Sequence, residues 1–112
     1  MKNERLNKKV ARQMLREIDD IAAFLRGREE AEFLRSPLLQ KAVVMSLLNI
    51  GELSKDFTDD FYERTPQIPW YDIRSTRNLA AHTYEAIDMR DVWETYRSDL
   101  PWLRKELAPH AG

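Results

Sequence analysis

One short run of the sequence concentrates the side chains suited to phosphodiester chemistry: RSTRNLAAHTY, residues 74–84. Arginine presents a planar fork of donors that matches phosphate oxygens, and histidine exchanges a proton near neutral pH. Together these residue types suit phosphodiester cleavage, in which Arg77 would stabilise charge on phosphorus and His82 would move protons. If the substrate is RNA, its own 2′-hydroxyl can act as the nucleophile, so this chemistry needs no metal ion.

The spacing of Arg77 and His82 imposes a geometric condition. On a straight α-helix, five residues correspond to about 500° of rotation, so these two side chains would point about 140° apart. Asn78 and His82 are four residues apart and share a face, as do Arg74 and Asn78. For Arg77 and His82 to converge, the helix must end near Ala81 or a second chain must complete the site.

The supply of proton-transfer groups also points to two chains. In-line attack by a 2′-hydroxyl works best with both an acid and a base, and one chain offers only His82, because we expect His110 to lie in a frayed tail. A two-fold homodimer would supply two copies of Arg77 and His82 around a shared cleft. The spacing alone also fits a structural interpretation, with Arg77 in a surface ion pair and His82 interacting with a helix C-terminus.

Composition excludes several other kinds of site. The 112 residues include no cysteine and two histidines, which excludes thiolate zinc sites, cysteine nucleophiles and three-histidine sites within one chain. Glu52, Asp56 and His82 form the one remaining metal alternative, and we predict no metal site. No glycine-rich phosphate loop is present, so we expect no cofactor and no binding of ATP by this chain alone.

Opposite charges are concentrated in two segments, although the formal net charge is only −1. Residues 1–16 contain six basic side chains and one acidic, whereas residues 52–63 contain five acidic and one basic. We interpret both segments as solvated helix faces, with steering of self-association or of a partner as the alternative. Because we expect no continuous basic face, strong and salt-sensitive RNA binding is not predicted.

Hydrophobic periodicity predicts helices along the first half of the chain and no strand. A first helix over residues 3–26 is predicted from one stripe of apolar residues: Val10, Met14, Ile18, Ile21 and Leu25. Gly27 is a natural stop, and a short helix follows over residues 28–34. Ser36 and Pro37 begin a buried central helix that we expect to reach Phe57, before one further turn through residue 64.

The second half is less regular but is also predicted to be helical. Pro69 predicts a helix over residues 70–82, which would carry the motif. A last helix over residues 88–107 contains Pro101, which should kink or restart it. These elements predict an all-α, antiparallel up-down bundle of four main helices plus short extra helices, forming a single domain over residues 1–112.

Hydrophobic segments also indicate the environment of the chain. The longest strongly apolar run, residues 42–48, is far shorter than the roughly 20 residues that span a bilayer, and residues 1–10 contain no signal-peptide core. We therefore expect a cytoplasmic protein without a membrane partner. The three tryptophans are expected in the core or in a dimer interface: Trp70, Trp93 and Trp102.

A polar face of the central helix is expected to support the motif. Asn49, Glu52 and Asp56 lie on this face of an otherwise apolar helix, and a buried carboxylate needs a partner. We expect Glu52 to contact Arg77 or Arg74, or to face a cleft. Glu52 and Arg74 are therefore the predicted supporting residues.

The order of these motifs resembles the HepT-like branch of the HEPN superfamily over about residues 12–107. The resemblance rests on six matching segments: Ile50-Gly51-Glu52, Ile68-Pro69-Trp70, Asp72-Ile73, Arg77-Asn78, His82-Thr83-Tyr84 and Val92-Trp93. It implies a HEPN-like helical bundle that dimerises with the arginine–histidine motif at the dimer cleft. Two departures are Tyr71, where relatives commonly have a charged residue, and the small pair Ala80-Ala81.

The resemblance also implies roles for individual residues. Arg77 and His82 match the catalytic pair of metal-independent endoribonucleases, and Asn78 matches the polar position between them. Tyr84 matches the tyrosine to which a partner nucleotidyltransferase transfers AMP from ATP, which silences the nuclease. Glu52 matches a recurrent glycine–glutamate position in the central helix.

The function implied by the resemblance is that of a toxin in a type II/VII-like toxin–antitoxin module. Its partners would be an RNA substrate of unknown identity, a minimal nucleotidyltransferase antitoxin and a second copy of the chain. AMP on Tyr84 would place negative charge and bulk where an RNA phosphate should bind. The alternative is a non-catalytic helical binding module that docks a nucleotidyltransferase and presents Tyr84, and a plain helical dimerisation protein is a third possibility.

Overall fold

The computed structural model describes residues 2–112, with side chains from residue 3 onward. Seven α-helices follow one another: α1 (Lys2–Leu25), α2 (Glu30–Leu34), α3 (Pro37–Leu53), α4 (Asp59–Arg64), α5 (Trp70–Ser75), α6 (Met89–Glu94) and α7 (Leu100–Leu107). Three 3₁₀ segments and one π-helical turn connect or extend them: Thr76–Ala81, Tyr84–Ala86, Ala108–His110 and the π turn Thr95–Asp99. Residues 2–112 contain no strand, so the predicted all-α bundle is confirmed.

The two longest helices, α1 and α3, pack against each other at the centre of the bundle. All five apolar residues of the predicted α1 stripe are buried, and α1 ends beside Gly27, whose φ of +75° favours glycine. Asn7, near the start of α1, donates from its side-chain amide to the Thr58 hydroxyl beyond the end of α3, at 2.9 Å. The pair is therefore antiparallel. No helix within residues 2–112 is both long and apolar enough to cross a membrane.

The central helix α3 begins as predicted but ends earlier. The Ser36 hydroxyl accepts from the Leu39 backbone N–H at 3.2 Å, with proline in the first turn. The sequence predicts a helix as far as Phe57, yet α3 ends at Leu53. The buried Ser54 hydroxyl donates to the Gly51 carbonyl at 2.7 Å, and the chain then turns so that Phe57 enters the core. Burial of this aromatic ring outweighs continuation of the helix.

An aromatic cluster joins α4 and α5 and anchors the start of the motif region. The rings of Phe57 and Phe61 stack with centroids 4.2 Å apart, and Trp70 packs against both. The Trp70 indole Nε1 donates to the Thr65 hydroxyl at 2.9 Å, and that hydroxyl donates to the Phe61 carbonyl at 2.8 Å. Trp70 is buried as expected. Trp102, by contrast, is 41% exposed and does not belong to the core of the chain.

The C-terminal region meets one expectation and departs from another. The last helix restarts at Pro101, as predicted, because the π turn Thr95–Asp99 interrupts it and α7 begins at residue 100 with proline in its first turn. The expected frayed tail is wrong, because His110 packs edge-on against Phe61 with ring centroids 5.0 Å apart. The tail is also fixed by Arg12, whose Nε donates to the Ala111 carbonyl at 2.7 Å.

Candidate functional site

The motif does not lie on the single α-helix over residues 70–82 that the sequence predicts. Instead α5 ends at Ser75, a 3₁₀ helix continues over Thr76–Ala81, and His82 has an extended backbone with φ −102° and ψ 150°. Helical geometry therefore stops at Ala81. A helix that ends near this residue is one of the two conditions under which Arg77 and His82 could converge. His82 projects from the end of the helical segment.

The three-residue period of the 3₁₀ helix determines which motif side chains reach solvent. Thr76 and Leu79 are three residues apart and both are half-buried, whereas Arg77 and Asn78 are exposed. The two alanines after Leu79 are exposed as well, and so is His82. The segment thus presents its arginine, amide and imidazole to solvent on a backbone whose other side packs on the bundle.

A close approach between α3 and the motif segment holds the backbone at Arg77. A Cβ atom at Gly51 would lie 2.6 Å from the Arg77 backbone nitrogen and 2.5 Å from the Thr76 hydroxyl oxygen, so only glycine permits this approach. The Thr76 hydroxyl lies 2.8 Å from the Ile73 carbonyl oxygen and 3.1 Å from the Leu47 carbonyl oxygen, and shares its proton between them. The Arg77 backbone is therefore attached to the most buried helix of the bundle.

His82 and Asn78 line one surface groove of about 430 Å³ beside the motif segment. Five apolar residues contribute to its lining: Leu47, Leu79, Ala86, Ile87 and Val92. Two carboxylate residues, Asp88 and Asp91, also line it. Small-ligand sites of proteins have volumes of about 300–1,000 Å³, so this groove is large enough for part of a nucleotide.

The described residues that line this groove do not include Arg77. The positive charge of Arg77 instead affects Glu52. The pKa of Glu52 is lowered chiefly by the hydrogen bond and charge of Lys55, and to a smaller extent by the charge of Arg77. Arg77 and His82 are therefore carried by one continuous segment, but the groove that His82 lines does not include Arg77.

Glu52 is not the buried carboxylate that the sequence suggests. Its side chain is 54% exposed, and its Oε2 atom lies 2.8 Å from the Lys55 Nζ atom. Among the described residues it forms no salt bridge with Arg77 or Arg74. It does face a cleft, the other alternative, because it lines a shallow groove of about 280 Å³ between α1 and α3.

Arg74 contributes to the aromatic cluster. Its guanidinium carbon lies 5.5 Å from the centroid of the Tyr62 ring, and its buried Nε atom has no hydrogen-bond partner among the described residues. The Tyr62 hydroxyl donates to the Ser54 carbonyl at 2.6 Å, and burial raises the pKa of Tyr62. Through Tyr62, Arg74 thus links α5 to the end of α3. Its role in supporting the site stays a prediction.

Tyr84 is held by the first turns of α3. Its hydroxyl donates to the side-chain oxygen of Gln40, and the buried Gln40 amide donates to the Phe33 carbonyl at 2.9 Å. The Lys41 ammonium lies 5.2 Å from the centroid of the Tyr84 ring. Tyr84 is half-buried, so its phenol is engaged by the protein rather than directed freely into solvent.

Sequence reasoning missed the roles of Gly51, Thr76 and Gln40. A glycine inside a buried helix carries a recognisable signal, because it costs about 1 kcal/mol relative to alanine and so suggests a close approach. A glutamine in the first turns of an apolar helix suggests a buried hydrogen bond. Nothing in the sequence identifies Tyr84 as the partner of Gln40, since the two residues are 44 positions apart.

Comparison with known proteins decides the family. The model of a family described as ribonuclease HepT-like matches residues 14–109. The chain belongs to this family. The resemblance carried by the motif segments is thereby confirmed, and membership indicates ribonuclease activity on an RNA substrate.

Individual relatives of this HepT-like protein have names that agree with the family. A protein of Methanocaldococcus jannaschii, named as a proposed RNase, is 31% identical over 94 residues, which cover 84% of this chain and 86% of the relative. A proposed RNase of Caldanaerobacter subterraneus subsp. tengcongensis is 31% identical and covers 84% of each chain. A protein of Thermococcus cleftensis, named as a proposed ribonuclease HepT, is 34% identical over 78% of this chain and 86% of its own. No solved structure matches the chain.

Proposed function

We propose that this HepT-like protein is an endoribonuclease that cleaves RNA without a metal ion, using Arg77, Asn78 and His82. One observation carries the proposal. The exposed His82 imidazole extends from the end of the 3₁₀ segment into a groove that it shares with Asn78. The contact at Gly51 supports a catalytic role for this segment, because reacting groups must be held in a fixed geometry.

The proposed reaction is an in-line transesterification. The 2′-hydroxyl oxygen of the RNA attacks the adjacent phosphorus, its proton passes to a general base, and the bond from phosphorus to the 5′-oxygen breaks. A general acid protonates the departing 5′-oxygen, which leaves a 2′,3′-cyclic phosphate and a 5′-hydroxyl. His82 would serve as the acid or the base, Arg77 would stabilise charge on the phosphorane, and Asn78 would orient the phosphate or the imidazole.

A homodimer would complete this site. Within one chain the His82 groove does not include Arg77, and one imidazole cannot be acid and base in the same step. A two-fold axis near the motif segments would bring Arg77 of one copy to His82 of the other and would supply the second imidazole. This arrangement accounts for both requirements with no additional residue type.

Cleavage of RNA in excess EDTA tests the nuclease proposal. Replacement of His82 by alanine should lower the rate by about 10²–10⁴-fold, the usual contribution of a general acid or base. His110→Ala is the matched control, because it removes the other histidine, which packs on Phe61 away from the motif. A folded His82→Ala protein that cleaves as fast as the parent would overturn the mechanism, and activity that disappears with EDTA would overturn metal independence.

We further propose that Tyr84 is the regulatory site of a cytoplasmic toxin–antitoxin pair. A minimal nucleotidyltransferase antitoxin would catalyse attack of the Tyr84 oxygen on the α-phosphorus of ATP, with loss of the phenol proton and release of pyrophosphate. The hydroxyl must leave Gln40 for this reaction, and the new phosphate would lie near the Lys41 ammonium. The added charge and the disturbed position of Tyr84, two residues after His82, would silence the nuclease.

Intact mass spectrometry with and without the nucleotidyltransferase and ATP tests the regulatory proposal. The parent should gain one or more AMP units, Tyr84→Phe should gain none, and Tyr71→Phe should behave as the parent, although Tyr71 is 84% exposed. Equal gain by Tyr84→Phe would assign the modification elsewhere. A chain that gains AMP but never cleaves RNA would instead support the alternative function, a non-catalytic module that docks a nucleotidyltransferase.

A further inference from the structure

Five basic side chains form a stripe along the outer face of α1: Arg5, Lys8, Lys9, Arg12 and Arg16. We call these five residues the α1 basic stripe. At 100° per residue they fall within an arc of about 100°, opposite the buried face of the helix, and they extend over about 16 Å. All five are exposed. The structure therefore corrects the expectation that the protein has no continuous basic face.

In the described part of the chain, the cations of the α1 basic stripe are not held in ion pairs, although Glu4 and Glu17 line the grooves beside them. None of its cations takes part in a salt bridge among the described residues. Other exposed arginines are paired, as in Arg28 with Glu32 at 3.5 Å and Arg104 with Asp19 at 2.7 Å. Arg12 donates to the Ala111 carbonyl, which orients its guanidinium but leaves its positive charge uncompensated. This half of α1 thus keeps a row of available positive charges.

Two shallow grooves lie along the α1 basic stripe. The first, of about 320 Å³, is lined only by charged residues: Glu4, Arg5, Lys8 and Arg12. The second, of about 280 Å³, runs between α1 and α3 and is lined by Gln13, Arg16, Glu17, Asn49, Glu52 and Leu53. Arg16 therefore shares a groove with Glu52, whose pKa is lowered in part by the positive charge of Arg77.

The charges in these two grooves are compatible with the binding of a polyanion. Glu52 would repel a phosphate, but Lys55 lies 2.8 Å from its carboxylate and compensates its charge. Asn49 adds an amide to the same groove, and an amide can donate to a phosphate oxygen or pair with a 2′-hydroxyl. The row of cations from Arg5 to Arg16 therefore leads to the neighbourhood of Arg77.

We infer that the α1 basic stripe binds the phosphate backbone of the RNA substrate and guides it to Arg77. The inference rests on the proposed function, to which it adds a substrate-binding surface remote from the reacting groups. An acidic protein surface is the competing occupant. Protein interfaces usually have an apolar centre, whereas the groove beside Arg5 is lined by charged side chains alone, so the observations favour a nucleic acid backbone.

Salt-dependent RNA binding tests this inference. The probe is a labelled single-stranded RNA of mixed sequence and about 20 nucleotides, long enough to extend beyond the stripe, and all proteins carry His82→Ala so that the RNA is not cleaved. The stripe variant is Arg5→Gln, Lys8→Gln, Arg16→Gln, which spares the contact of Arg12 with Ala111. The matched control is Arg26→Gln, Arg35→Gln, Lys105→Gln, which makes the same change in net charge at exposed positions outside the stripe.

Each phosphate contact to single-stranded nucleic acid contributes about 0.7 to the slope of log K against log salt, so loss of three contacts should reduce the slope by about 2. Affinity at about 0.1 M salt should correspondingly fall by about 100-fold, while the control keeps the parent slope. An unchanged slope in the stripe variant, or equal losses in both variants, would overturn the inference. So would unchanged RNA binding accompanied by an altered oligomeric mass in light scattering, which would assign the stripe to protein association.

Failure of the proposed function would be recognised separately. Binding is measured without catalysis, whereas cleavage is measured with the protein that retains His82. If the protein cleaves no RNA, but the slope of log K against log salt falls only in the stripe variant, the RNA-binding surface is supported and the nuclease proposal is refuted. If the protein cleaves RNA, but the slope of log K against log salt is unchanged in the stripe variant, the nuclease proposal is supported and the RNA-binding surface is refuted.

Discussion

Replacement of Gly51 by alanine is expected to reduce catalysis far more than stability. The added methyl carbon would lie 2.6 Å from the Arg77 backbone nitrogen and 2.5 Å from the Thr76 hydroxyl oxygen, whereas ordinary contacts begin at 3.4 Å. The backbone at Arg77 cannot rotate away as a flexible side chain would. The motif segment must therefore move by roughly 0.8 Å, the difference between 2.6 and 3.4 Å.

Two opposing contributions determine the stability of Gly51→Ala. Overpacking of a core typically costs about 1–3 kcal/mol. Alanine inside a helix is about 1 kcal/mol more favourable than glycine, which offsets part of that cost. The net loss in the free energy of unfolding should therefore be about 0–2 kcal/mol. Catalysis is more sensitive, because a displacement of about 1 Å in catalytic geometry can cost about 10²-fold in rate.

The assay combines RNA cleavage with urea unfolding of the parent, Gly51→Ala and Gly27→Ala. Gly27 has a φ of +75°, and a methyl carbon added there would meet no atom within 4 Å, so alanine strains the backbone without touching the motif. Gly27→Ala should lose about 1–2 kcal/mol of stability and keep its cleavage rate under native conditions. Gly51→Ala with full activity would refute the claim that this contact positions Arg77.

Three other substitutions test contacts around the site. Thr65→Val should lower the free energy of unfolding, measured in urea, by about 1–3 kcal/mol, because the buried Trp70 indole loses its hydrogen-bond acceptor. Thr65→Ser keeps the hydroxyl and should stay close to the parent. Equal losses of stability in the two variants would contradict this account. Burial raises the pKa of Tyr62 above 10.0, so its contribution to stability is complete below pH 10 and is lost as the pH rises through the raised value. Tyr62→Phe should therefore flatten the decline of stability above pH 10, and an unchanged alkaline profile would oppose that assignment. Gln40→Leu should release the Tyr84 hydroxyl and accelerate AMP transfer by the nucleotidyltransferase, and a slower transfer would indicate that Gln40 helps to present the tyrosine.

Long amphipathic helices are the most predictable part of the fold. The spacing of Val10, Met14, Ile18 and Leu25 defines α1 because each of these residues reaches the core at a helical period, and all are buried. The end of α3 is less predictable. Ser54 and Phe57 are compatible with a continued helix, and only the aromatic cluster beyond the helix provides a reason for the chain to turn.

The candidate site can be located from the sequence, but its geometry cannot be derived from it. An α-helix and a 3₁₀ helix differ little over six residues, and the pair Ala80-Ala81 favours the α form by intrinsic propensity. Contact with Gly51 favours the tighter backbone instead, through a tertiary interaction that no local pattern encodes. For the same reason the sequence favours an arginine as the partner of Glu52, although Lys55, one turn away along the chain, is its nearest cation.

The central claim is that Arg77 of one copy and His82 of another act at one site, and complementation between inactive variants tests it most directly. Arg77→Ala and His82→Ala proteins are each purified, mixed in equal amounts, allowed to exchange subunits and assayed for RNA cleavage, with light scattering to confirm dimers. Random exchange gives half mixed dimers, and each of these contains one pairing of an intact Arg77 with an intact His82 but only one imidazole. Activity should therefore rise above that of either variant alone, to at most about a quarter of the parent value. Mixed dimers that remain inactive would contradict a site shared between two chains.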